Sequence, residues 1–112
     1  MRIRKFFSLF PVVMLPVAVW AVQVPVSMTA MRFVPDTLTV TQGDSVIWTN
    51  ADALPHTTTS GAPGVPDGLW DSPTLSQGGT YVHGFDSTGT FPYFCRFHYL
   101  SGMTARITVR SA

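Results

Sequence analysis

Charge is scarce in this chain, and cysteine scarcer still. Charged residues fill 12% of its 112 positions, against roughly 25% in an average soluble domain. A disordered chain needs the opposite balance, and the 46% of hydrophobic residues excludes one. The formal net charge of +1 comes without a basic stripe, so the electrostatic footprint of a nucleic-acid binder is missing. A single cysteine excludes an intrachain disulfide. The length leaves room for one domain and excludes a multi-domain enzyme. Nine Gly and nine Pro occur without a short repeat, which implies a turn-rich fold rather than a fibrous one.

The first stretch has a character of its own. Arg2, Arg4 and Lys5 make a positive start, an apolar run follows from Phe6 to Ala21, and Val19-Trp20-Ala21 has the form of a cleavage site. This layout predicts a secretory signal peptide over 1–21 and a folded domain over 22–112. The competing reading is an uncleaved N-terminal anchor, because Val22, Val24 and Val26 extend the apolar character. Pro11 and Pro16 break that run and Pro25 follows closely, and a span needs about 20 apolar residues in helix. The expected location is periplasmic or otherwise extracytoplasmic, with membrane attachment only if the segment is retained. Without residues 1–21, four Arg face six Asp, neither Lys nor Glu remains, and the net charge is −2. Exported domains of this size usually carry disulfides. With none possible, a bound metal becomes the candidate for holding the fold.

Short strands separated by turn residues fill the rest. Leu38 and Val40 alternate with Thr37, Thr39 and Thr41 up to the Gln42-Gly43-Asp44 turn, and Ser45 to Asn50 is β-branched and aromatic. Residues 60–79 hold three Pro and five Gly and read as loop with one short strand near Trp70. Thr80 to Phe85 and Thr90 to Cys95 are aromatic-rich strands divided by a turn at Asp86-Ser87-Thr88-Gly89. The last strand, Thr104 to Arg110, turns Ala105, Ile107 and Val109 inward. Nothing beyond residue 21 has a convincing helical period. The pattern predicts an all-β fold, an antiparallel sandwich or barrel of about seven to eight strands. Trp48 and Phe91 are expected in its core, with Trp70 capping one end.

The chemistry gathers near the C-terminus. Cys95 ends an aromatic strand, His98 follows three residues later and Met103 five after that, while His56 lies far upstream beyond the Asn50 strand. One thiolate, two imidazoles and one thioether form the ligand set of a blue-copper electron-transfer site. Three donors on one loop between two strands can converge on a point, and a fourth from a distant strand end pins that loop to the sandwich. Thioether is a poor zinc ligand but suits Cu(I), and imidazole suits Cu(II). The implied cofactor is copper, one type 1 ion per chain. His83 alternates with Tyr81 and Phe85, and its expected role is that of a partly exposed strand residue.

The stretches Asn50-Ala51-Asp52-Ala53-Leu54-Pro55-His56-Thr57 and Gly89-Thr90-Phe91-Pro92-Tyr93-Phe94-Cys95-Arg96-Phe97-His98, running on to Met103, resemble the plastocyanin/pseudoazurin branch of the cupredoxins. The C-x₂-H-x₄-M spacing is that of plastocyanins, and the likeness covers nearly all of residues 24–110. It implies a Greek-key cupredoxin sandwich with His56, Cys95, His98 and Met103 as copper ligands. It further implies that the Thr57 backbone N–H donates to the Cys95 sulfur, with Thr57 and Asn50 supporting the ligands from behind. Many plastocyanins carry Asn where Thr57 stands, and the acidic docking patch of the plant proteins has no counterpart here.

The function these features imply is a mobile one-electron carrier between larger redox proteins, not an enzyme. Donor and acceptor proteins would meet it transiently at an apolar collar of Leu54, Pro55, Tyr99 and Leu100 around His98. A monomer is expected, with no nucleic-acid partner. The main alternative is a copper-binding or copper-delivery module without redox turnover. Such modules tend towards open, cysteine-free sites rich in Met and His. A nucleophilic Cys95 with a histidine base is the weaker alternative, since no orienting third group is evident.

Overall fold

A computed structural model describes residues 21–112. The signal-peptide reading of 1–21 falls almost entirely outside the described residues. Among the described residues nine strands follow in order, against the seven to eight expected: β1 (Gln23–Thr29), β2 (Arg32–Val34), β3 (Thr37–Thr41), β4 (Ser45–Asn50), β5 (Thr59–Ala62), β6 (Val65–Asp71), β7 (Thr80–Gly84), β8 (Gly89–Phe94) and β9 (Thr104–Arg110). They form a four-stranded sheet, β2-β1-β4-β7, and a five-stranded sheet, β3-β9-β8-β5-β6. The all-β sandwich is the expected one. Its pairing is mixed rather than wholly antiparallel, because β1 runs parallel to β4 and β3 parallel to β9. Alternation along a strand reports which face is buried and is silent on the direction of the neighbour.

The core lies between the sheets. Val26, Met28, Phe33, Val40, Val46, Trp48, Tyr93, Ile107 and Val109 are buried there. Trp48 meets Tyr93 edge-on at 5.5 Å between ring centroids, and Phe33 meets Tyr93 edge-on at 4.6 Å. Aromatic pairs in this geometry contribute about 0.5–1.5 kcal/mol each beyond their burial. Trp70 belongs to this group rather than to an end cap: it is buried and lies 5.8 Å from Trp48. Phe91 is half-buried and packs against the same cluster.

The region over 60–79, read as loop with one short strand near Trp70, holds that strand as β6 and most of a second, β5. In β5 the buried side chains are polar, Thr59 and Ser60, and they bond to other groups instead of showing an apolar alternation. The Ser60 hydroxyl donates to the Trp70 carbonyl and accepts from the Trp70 backbone N–H. β6 is an edge strand with Pro66 and Gly68 on it, the position where both residues are tolerated.

Both ends that matter for chemistry lie together. β8 and β9 pair antiparallel from Gly89↔Val109 to Phe94↔Thr104, so residues 95–103 form the loop at one end of that hairpin. The chain leaving β4 at Asn50 returns at the same end, and His56 is fastened there by paired backbone bonds with Leu75.

Gly61 marks the tightest backbone approach in the β5–β6 hairpin. It sits at φ +128° beside a register shift, and a Cβ there would come within 2.1 Å of the Val65 carbonyl oxygen. Gly61→Ala is therefore expected to destabilise the fold by at least about 2 kcal/mol, through strain and backbone displacement. A thermal or urea melt measures it, and an unchanged midpoint would contradict the close approach of the two backbones.

Candidate metal centre

Three of the four residues expected as ligands bring their donor atoms to one point. His56 Nδ1 and His98 Nδ1 are 3.1 Å apart, and the Cys95 sulfur lies 3.5 Å from His98 Nδ1 and 3.8 Å from His56 Nδ1. These separations describe a triangle whose corners all lie about 2.0 Å from one central point, close to the roughly 2.0–2.1 Å and 2.3 Å that a first-row ion takes to imidazole nitrogen and thiolate sulfur. One ion fits. The donor set selects which: a thiolate with two imidazoles in a near-trigonal arrangement suits copper.

Met103 closes the same loop. The Cys95 N–H donates to the Met103 carbonyl at 3.1 Å, and the Met103 N–H donates to the His98 carbonyl at 3.2 Å. Its side chain is fully buried, as are those of Cys95 and His56, whereas His98 is half-buried. A single 3₁₀ turn, Tyr99–Ser101, ends at Gly102 with φ +92°, and this reversal carries the chain from His98 back to Met103. Burial lowers the His98 pKa below the ordinary histidine value, and the neighbouring His56 lowers it further.

The supports behind the donors come from both loops. The Thr57 N–H points at the Cys95 sulfur at 3.5 Å, where the family resemblance puts it. The Thr57 side chain contributes as well, because its hydroxyl accepts the Arg96 N–H at 2.9 Å and bonds to the Thr59 hydroxyl. Thr59 in turn donates to Asp71, which pairs with the Arg96 guanidinium. That guanidinium holds the Asp71 carboxyl below the usual carboxylate range. A closed circuit of bonds thus grips the residue next to Cys95.

Asn50 does not reach the sulfur; it builds the loop that carries His56. Its buried amide donates to the carbonyls of Leu54 and Leu75, both at 2.8 Å, and its oxygen accepts the Asp52 N–H at 2.8 Å. Asp52, for which no role was legible in the sequence, bonds His56 Nε2 at 2.8 Å. The backbone N–H of Met31, followed by other bonds, holds the Asp52 carboxyl below its usual range. A carboxylate four residues before a histidine has no periodic context outside a helix, so spacing did not reveal it.

His83 lies away from this cluster, as expected, half-buried with its ring 4.9 Å from Trp70. Among the expected collar residues, Leu54, Pro55 and Leu100 are exposed, Leu100 at 88%. Tyr99 is only half-buried; it packs edge-on against Phe94 and its ring closes over Gly64, which withdraws most of it from the collar. Phe97, not considered from sequence, stands 52% exposed beside His98.

Comparison with known proteins agrees with this geometry. The family model of copper binding proteins, plastocyanin/azurin family, matches residues 20–110. The chloroplastic plastocyanin of Tetradesmus obliquus is 34% identical over 87 residues, covering 72% of this chain and 60% of that protein. Plastocyanin of Scenedesmus fuscus is 34% identical over 88 residues, with 72% and 89% covered. Amicyanin-alpha of Methylorubrum extorquens is 34% identical over 74 residues, with 65% and 61% covered. The chain thus spans less than two thirds of the length of two of these relatives. Among solved structures, a purple cupredoxin from Nitrosopumilus maritimus superposes with a TM-score of 0.69 at 28% identity, covering 77% of this chain and 98% of that one.

Titration of the purified protein with Cu(II) is expected to saturate at one equivalent and to develop an intense visible thiolate-to-copper band. Cys95→Ser should abolish that band. A colourless complex of the unaltered chain would mean that the sulfur is not bonded to the ion.

Proposed function

The chain belongs to the plastocyanin/azurin family of copper-binding proteins and its cofactor is copper; on that premise we propose that it is an exported carrier of single electrons between larger redox proteins. The observation that carries this reading is a donor triangle already sized for one ion, with His56 and Cys95 fully buried and His98 half-buried. Copper, when bound, supplies the one-electron interconversion of Cu(I) and Cu(II).

The roles of the chain's own groups follow from their positions. His56, Cys95, His98 and Met103 would hold the ion, the Met103 thioether as the weak donor that would adjust the potential. Thr57 steadies the sulfur from behind. Because both loops are tied by bonds that do not involve the ion, the donors move little when its charge changes, which keeps the reorganisation for electron exchange small. His98 and Cys95 form the path outward. The closed, cysteine-containing site argues against metal delivery, which needs ligands that open. The burial of His56, Cys95 and Met103 also favours a carrier over a catalyst, which must bring a substrate to the ion.

The partner surface is proposed to be the exposed apolar group of Leu54, Pro55, Phe97 and Leu100 at the end of the sandwich where the two loops meet. Small, weakly bound interfaces of this kind suit rapid electron-transfer encounters. The domain is proposed to work outside the cytoplasm after loss of residues 1–21.

Three measurements bear on this. The blue form should bleach with ascorbate and recover on reoxidation over repeated cycles; an irreversible loss of colour would remove the carrier reading. Leu100→Asp should slow electron exchange with a redox partner roughly tenfold while leaving the potential unchanged, and an unaltered rate with every partner tried would take the collar out of the account. Mass spectrometry of the secreted chain should find Val22 at the N-terminus, whereas a mass that still includes residues 1–21 would point to the anchor instead.

A further inference from the structure

The two imidazoles at the centre are held very differently. For the outer nitrogen of His98, no protein partner occurs among the described residues. His56 Nε2 lies 2.8 Å from Asp52 Oδ2, with the ring fully buried and the carboxylate only 18% exposed. A carboxylate at neutral pH only accepts, so Nε2 carries the proton and donates it. The lone pair then sits on Nδ1, the atom facing His98 Nδ1 at 3.1 Å and the Cys95 sulfur at 3.8 Å.

Asp52 is itself fixed from the opposite side. Its Oδ1 accepts the Ala30 N–H at 2.8 Å and its Oδ2 the Met31 N–H at 2.9 Å. Those two residues form the β1–β2 turn, and both have left-handed backbone, φ 55° and 58°, a conformation that costs a non-glycine residue of order 1 kcal/mol. Adopting it turns two successive N–H groups onto one carboxylate. A third bond comes from the loop itself, where Asn50 Oδ1 takes the Asp52 N–H. The carboxylate has little freedom to leave His56.

The geometry assigns Asp52 as a positioning residue for the copper centre: it sets the tautomer and orientation of His56 and places a negative charge behind that ligand. This rests on the copper-carrier reading above for its redox consequence, though not for the tautomer. An anion hydrogen-bonded to a ligating imidazole strengthens it as a donor and favours the higher charge of the oxidised ion. The carboxylate therefore holds the reduction potential down and increases the affinity for Cu(II). Through Ala30 and Met31, the same carboxylate makes the β1–β2 turn a mechanical part of the site.

Asp52→Asn and Asp52→Ala separate charge from orientation, since the amide oxygen can still accept from Nε2 whereas alanine offers nothing. In the apo form of the unaltered chain, nitrogen-15 NMR of the histidine rings should find His56 protonated at Nε2, with a slowly exchanging proton. Asp52→Asn should keep that tautomer and raise the potential, measured by spectroelectrochemistry. Asp52→Ala should raise the potential, release the ring proton to rapid exchange, and weaken Cu(II) binding by about 10–100-fold. Asp52→Glu should restore the affinity in part. An Asp52→Ala protein with the potential, affinity and proton exchange of the unaltered chain overturns the assignment. So does a His56 ring protonated at Nδ1 in the unaltered apo protein, a measurement that needs no variant to fold. Failure of the carrier reading would show separately, as a missing thiolate band in the unaltered protein.

Discussion

The structure depends on a buried sulfur that must face two nitrogens. Cys95 is fully buried at the end of β8, and its sulfur faces His98 from its own loop and His56 from the other sheet's loop. Three lone-pair donors crowded into an apolar interior are unfavourable unless something positive lies among them. A metal ion meets that need, and its binding free energy becomes folding free energy in a small domain that has no disulfide. The sandwich and the ion are thus mutually dependent: the sheets bring the loops together, and the ion compensates for the buried donors.

Rigidity around the site is built from polar residues rather than from apolar packing. Asn50 ties β4 to its following loop, the Thr57–Thr59–Asp71–Arg96 circuit grips the residue after Cys95, and Asp52 fastens His56 to the β1–β2 turn. Buried polar groups of this kind are unfavourable if a bond is left unmade and specify one arrangement when all are satisfied. Side chains that scale poorly as hydrophobes, Asn50, Thr57, Thr59 and Ser60, are accordingly as buried as Trp48. The outer face is the opposite, with apolar Leu54, Phe97 and Leu100 facing solvent around the one donor residue that is only half-buried. That inversion, polar behind and apolar in front, suits a centre held firmly while exchanging electrons through brief contacts.

Most of the fold was legible because most strands alternate. Leu38 and Val40 alternate with exposed threonines, Trp48 is in the core as expected, and Ile107 and Val109 face inward as read. Of the β5–β6 hairpin only a short strand near Trp70 was legible, since the buried side chains of β5 are hydroxyls and β6 carries Pro66 and Gly68, both of which signal loop. Trp70 was misplaced at an end of the sandwich because the short strand expected around it carries no alternation, its other residues being exposed, so its inward direction had no signal. The parallel β1–β4 and β3–β9 pairs escaped because a period of two says nothing about the neighbour's direction.

What the sequence determined by itself was the kind of chemistry. Thiolate, imidazole and thioether are properties of side chains, and three of them spaced within nine residues can only meet on one short loop, whatever the rest of the chain does. The tertiary structure alone decided what stands behind those donors. Asp52 reaches His56 because a turn more than twenty residues earlier offers it two N–H groups, and Tyr99 is half withdrawn from the surface because Gly64, on a different hairpin, makes room for its ring. Such partners are set by hydrogen bonds and clearances between segments distant in the chain, which leave no period or spacing in the sequence.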